Sequence, residues 1–140
     1  MALMVQALVD KSALARFVHP SVREVLAPLL VDGRLATCAI TDLDVLFSTR
    51  NGPEWDVVRE QLRGLPSIPI TPTVCTRAID VQGMLWHSGK VRAVGIPNLL
   101  IAAAAEGANL PVLHYHTDFD LVATATGQGS RWVVEAGSVP

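Results

Sequence analysis

Aromatic and charged side chains are scarce in this 140-residue chain, and cysteine is nearly absent. Asp, Glu, Lys and Arg make up only 17% of it while 50% is hydrophobic, a balance that excludes intrinsic disorder. The net charge of −2 excludes a broad basic face, so any contact with nucleic acid must come from a local patch. Cys38 and Cys75 stand far apart with no CxxC spacing, which excludes a zinc knuckle or a disulfide framework. Both lie in apolar surroundings and are expected as buried thiols in a reducing compartment. The phosphate-loop patterns GxxxxGK[ST] and GxGxxG are missing. The run Leu99–Ala105 falls well short of the roughly 18 residues of a membrane span. The N-terminal apolar stretch has neither a basic leader nor a small-residue cleavage site. The expectation is a soluble cytoplasmic protein of one domain, residues 1–140.

What is present is a set of short apolar runs separated by helical patterns. The run from Leu3 is interrupted only by Gln6 and ends abruptly at Asp10, the habit of a central parallel strand buried on both faces. Ser12 is a good N-cap for a helix to Val18. Ser21 and Glu24 make a capping-box pattern for a helix to Val31, which Asp32-Gly33 ends. Leu35–Ile40 is a second strand, after which Thr41 or Asp42 caps the next helix. Pro53 opens a helix to Arg63, and the brief strand Ser67–Ile70 is hemmed in by prolines and belongs at a sheet edge. Thr71-Pro72 starts a long helix to Ser88. The loop Gly89–Gly95 carries Lys90 and Arg92, and Pro97 opens a helix to Gly107. Strands at Leu110–Tyr115 and Arg131–Val134 flank a helix from Thr117 to Thr126. This alternation gives an α/β fold with a mainly parallel sheet covered on both sides.

Several acids fall just past strand ends: Asp10, then Asp42 and Asp44, then Asp118 and Asp120. In a parallel sheet those ends share one rim, so residues distant in sequence meet there. Clustered carboxylates repel unless a cation neutralises them, and oxygen-only ligands suit Mg²⁺ or Mn²⁺. Acids at helix starts are equally suited to capping, where the helix dipole favours them. Asp42 and Asp44 are two apart and point in different directions on a helix, so only one of them is a candidate ligand.

Taken together, LVDKSAL (Leu8–Leu14), TDLDVLFSTR (Thr41–Arg50), GIPNLLIAAAAE (Gly95–Glu106), VLHYHTDFDLVA (Val112–Ala123) and TGQGSRWV (Thr126–Val133) resemble the PIN-domain ribonucleases, and among them the VapC-type toxins of toxin–antitoxin pairs. The resemblance implies a three-layer α/β/α sandwich and a metal-dependent endoribonuclease. It further implies metal-activated water held by Mg²⁺ or Mn²⁺ at clustered acids, a homodimer, and a VapB-type antitoxin that blocks the site. Asp10 matches the first acid and Asp44 the second, usually Glu in the family, with Asp42 the fallback. Asn98 stands where the family has Asp, and His116 where it often has Asp, leaving Asp118 as the matching acid there. Asp10, Asp44, Asn98 and Asp118 are thus the catalytic and metal-site candidates, with Asp42, Ser12 and His116 as further positions. Both departures remove negative charge, so a weakened or silent nuclease is the expectation. The alternative is a non-catalytic PIN-like protein that binds RNA or antitoxin. A phosphotransferase using Asp10 as nucleophile is disfavoured, because the second Asp usual two residues on is here Ser12.

Lys11, Arg50, Lys90 and Arg92 are candidates for a local RNA border, with His114 or His116 near the point of cleavage. An antitoxin helix is expected in an apolar groove of the early helices, with Leu14, Phe17, Val18, Leu46 and Phe47 as candidate lining.

Overall fold

The structure is a computed structural model, and it describes residues 4–140. The expected strand start at Leu3 lies outside the described residues. Among the described residues five strands form one sheet: β1 (Ala7–Val9), β2 (Leu35–Cys38), β3 (Ser67–Ile68), β4 (Val112–His114) and β5 (Ser130–Trp132). Their order is β3-β2-β1-β4-β5, and every adjacent pair is parallel. β1 lies at the centre, with β2 on one side and β4 on the other. The winding reverses between β1 and β4, and in open α/β sheets that switch point is where ligands bind.

The unbroken apolar run of β1 now has its cause. Leu8 enters one core, while Ala7 and Val9 enter the other, and all three are fully buried. β4 alternates likewise, with Val112 in the first core and Leu113 in the second. The first core is built on α5 (Pro72–His87), α6 (Ile96–Gly107) and α7 (Asp118–Thr126). The second takes α1 (Lys11–Leu14) and α2 (Pro20–Val31). The expected three-layer sandwich is present, and β3 lies at the sheet edge as its prolines require.

Several local expectations are corrected. The N-cap of α1 is Asp10, not Ser12, and the helix is a single turn that does not reach Val18. α2 starts at Pro20, with His19 as N-cap, so Ser21 and Glu24 lie inside it and form no capping box. The proline at the first helical position sets that start. β2 stops at Cys38, and Ala39-Ile40 already belong to α3 (Ala39–Phe47), whose N-cap is Cys38, not Thr41 or Asp42. A short apolar run fits strand and helix alike, and here the buried Thr41 hydroxyl lies 3.6 Å from the Cys38 thiol across the helix start. Cys75 is exposed, whereas Cys38 is buried. By contrast α4 (Gly52–Arg63) carries Pro53 in its first turn, and Thr71 caps α5 by accepting the Val74 N–H at 3.1 Å. Gly127 ends α7 at φ 76°, a conformation that glycine adopts without strain.

Candidate active site

The carboxyl ends of β1 and β4 and the start of α6 meet at the switch point. Asp10 continues β1, is 3% exposed, and ties its backbone N–H to the Leu113 carbonyl at 3.2 Å. Its Oδ1 accepts the Ser12 hydroxyl at 2.7 Å and, more loosely, the Ala13 N–H at 3.4 Å. Ser12 Oγ in turn accepts the Tyr115 N–H at 2.8 Å, so one hydroxyl joins the ends of the two central strands. Burial pushes the Asp10 carboxyl up from its ordinary range, while the bonds from Ser12 and Ala13 and the nearby His116 pull it back.

Asp118 opens α7 and is 8% exposed. Its Oδ2 accepts two N–H groups from the first turn of α6: the Gly95 backbone at 3.0 Å and the Asn98 Nδ2 amide at 2.8 Å. Two histidines lead the chain from β4 to this point. His114 Nδ1 accepts the His116 N–H at 3.1 Å, and His116 Nδ1 accepts the Asp118 N–H at the same distance. His116 Nδ1 also stands 3.4 Å from Asp118 Oδ1. As an acceptor at Nδ1, each ring in its neutral form carries its proton on Nε2. His114 is fully buried between the rings of Phe119 and Trp132, at centroid distances of 4.9 and 5.1 Å. Its Nε2 has no partner among the described residues. Burial pushes its pKa down to about 4; Asp120 opposes that shift and His116 adds to it.

The sequence-predicted residues separate into two groups. Asp10, Ser12, Asn98, His116 and Asp118 gather at the rim. Asp42 is engaged elsewhere: it accepts Thr37 Oγ1 at 2.8 Å and faces the Arg59 guanidinium at 3.7 Å. Asp44 is half-buried and has no hydrogen bond or ion pair among the described residues. Lys90 and Arg92 lie in the loop leading to Gly95, and Lys11 follows Asp10 directly. Arg50 is already paired with Glu54 at 3.1 Å.

Three features went unread in the sequence. The Gly95 N–H donor is backbone and leaves no side-chain signature, although glycine before Ile-Pro marks a helix start. Burial of His114 follows from its place at the end of a central strand. Tyr115 clasps the C-terminal tail, its hydroxyl donating to the Val139 carbonyl at 2.8 Å, and Arg16 stacks over its ring at 4.5 Å.

The donor set does not match the hard cation that the resemblance implies. Among the described residues no three His, Cys, Asp or Glu side chains converge to hold a metal. At Asn98 the face turned to Asp118 is N–H, which cannot ligate a cation, and turning the amide over would set oxygen against oxygen at 2.8 Å. The side chains as they stand do not fit Mg²⁺ or Mn²⁺.

An apolar cleft of about 610 Å³ opens between the early helices, lined by Leu14, Phe17, Leu30, Val45, Val58 and Leu65 among others. Leu14 and Phe17 are there as expected. Leu46 is instead buried in the interior, and Val18 and Phe47, 75% and 90% exposed, lie outside the cleft. No helix among the described residues is long and apolar enough to cross a membrane.

Comparison with known proteins identifies the fold and the family. The family model for the PIN domain matches residues 7–125. Ribonuclease VapC51 and ribonuclease VapC21 of Mycobacterium tuberculosis are each 42% identical over 132 residues, covering 94% of this chain and 96% of theirs. The crystal structure of DNA-bound VapBC from Salmonella typhimurium shares the fold at a TM-score of 0.76 and 14% identity, over 94% of this chain and 100% of that one. The chain belongs to the PIN-domain family, in the branch of the VapC ribonucleases.

Proposed function

We propose that this chain is the toxin half of a VapBC-type pair, built on an endoribonuclease site that Asn98 holds in a weakened state. The observation that carries the reading is the meeting of Asp10, Asp118 and residue 98 at the switch point of a PIN fold. RNA is the ligand of the rim, approached across Lys11, Lys90 and Arg92, which supply the positive charge that flanking phosphates need. Arg50 contributes least, because Glu54 already neutralises it. His116 stands beside Asp118 at the rim. Asp10 and Asp118 are the oxygen donors at the rim that Mg²⁺ or Mn²⁺ would require once Asn98 became an acid, with Asp44 the further acid that the family resemblance names.

A VapB-type antitoxin is the proposed occupant of the apolar cleft, whose lining suits the non-polar face of a helix. A homodimer in the cytoplasm completes the reading, with Ile79 and Ile96, each 67% exposed on α5 and α6, as support for a second copy. The Asn98–Asp118 bond also favours the rival, a PIN-like protein that binds RNA or antitoxin and cuts nothing.

RNA binding tests the shared part of both readings. Filter binding of total RNA is expected to show strong salt dependence. Reversing Lys90 and Arg92 to Glu together should weaken retention at least about tenfold and flatten the salt slope. Unchanged binding would remove that loop from the interface, and no retention by the parent chain would remove the RNA reading.

A further inference from the structure

We infer that Asn98 takes the place of a cation at this rim: with the Gly95 N–H it hydrogen-bonds Asp118 Oδ2 from within, so that oxygen is satisfied without a metal and the site does not recruit one. The inference rests on the ribonuclease reading of the rim and concerns what its residues now bind. Asp118 Oδ2 holds two N–H donors at 2.8 and 3.0 Å, and both come from the start of α6, where the helix dipole adds positive potential. Its Oδ1 is flanked by His116 Nδ1 at 3.4 Å. A cation on Asp118 Oδ2 would have to displace bonds already made, while Oδ1 faces only the lone pair of His116 Nδ1, which accepts the Asp118 N–H. An acid at 98 would reverse this. It would press a second carboxylate oxygen towards Asp118 Oδ2, an arrangement that needs a shared proton or a cation. The identity of residue 98 therefore decides between a self-satisfied rim and a cation-requiring one.

The test is Mn²⁺ titration of the full chain, following free Mn²⁺ by electron paramagnetic resonance, with the melting temperature measured in parallel. The parent chain should show no saturable binding and a melting temperature indifferent to Mn²⁺. Asn98→Asp should bind Mn²⁺ at least about tenfold more tightly and melt higher when it is present. Asn98→Ala should melt below the parent chain and stay indifferent to Mn²⁺, because it loses the donor and adds no charge. Mn²⁺ binding by the parent chain as tight as by Asn98→Asp, or an Asn98→Ala variant that melts with the parent, would overturn the inference. If Asn98→Asp folds only with Mn²⁺, the inference is supported; if it does not fold at all, the parent and Asn98→Ala decide. An Asn98→Asp variant that binds Mn²⁺ yet leaves RNA intact would refute the ribonuclease reading and keep this one. Tight Mn²⁺ binding by the parent chain would do the reverse.

Discussion

Asp10 carries its carboxylate into a position that is 3% exposed, where Ser12 and Ala13 compensate only one of its two oxygens. Its pKa is raised above 3.8, so the folded chain holds that proton more tightly than the unfolded one. The stability this contributes is complete below 3.8 and is lost as pH climbs through the folded pKa. Asp10→Asn keeps an oxygen for both donors and removes the buried charge. It should raise the unfolding free energy at pH 7 by about 1 kcal/mol, as substitutions at functional sites often do, with the gain fading in acid. Urea denaturation measures it, and a destabilised variant would show that the charge is compensated. His114 has the opposite sign. Between its ordinary 6.5 and its folded value of about 4, the unfolded chain binds more protons, so stability rises with pH. The contribution is present above 6.5 and is lost as pH falls from there to about 4. Over that interval it amounts to on the order of 3 kcal/mol. His114→Phe retains an aromatic ring and should flatten the slope, at a cost of about 1 kcal/mol at neutral pH for the lost acceptor. An unaltered slope in urea midpoints would place the titration elsewhere.

Elements place these side chains by their ends. β1, α6 and α7 each deliver one residue to the rim: Asp10 just past a strand, Asn98 in a first turn, Asp118 as a first helical residue. The strand ends were legible as abrupt stops of apolar runs, and so was the helix opened by Pro97. The start of α3 was not, because Ala39-Ile40 extends the apolar run of β2 and only tertiary packing separates the two. The groove was legible as a region but only partly as residues. Apolar content marks Phe17 and Phe47 alike, yet only Phe17 turns into the cleft. Val58 and Leu65 line it from α4 and the turn beyond, half-buried and outside both main cores. Val58→Glu and Leu65→Glu should each weaken capture of a VapB-type antitoxin at least about tenfold while leaving the circular dichroism spectrum intact. Retained capture by a folded variant would exclude the cleft as the antitoxin site.

For the whole molecule, topology does what composition cannot. A chain with few charges concentrates functional groups by reversing its winding at β1, which brings residues 10, 98 and 118 together. That convergence follows from the alternation of strands and helices, so the candidate acids were legible in the sequence. Which of them touch was not. The resemblance ranks Asp44 above Asp42, but only the fold gives Asp42 to Thr37 and Arg59. The direction of the Asn98 amide, on which the proposed weakening of the site rests, is set by an oxygen twenty residues away. The measurement closest to that claim is the cleavage rate of total RNA in Mn²⁺ by the parent chain and by Asn98→Asp, with a chelator control. The account predicts chelator-sensitive cleavage by Asn98→Asp at least about a hundredfold faster than by the parent chain, a share of the barrier of ~2.7 kcal/mol. Equal rates, or intact RNA with both proteins, would contradict it.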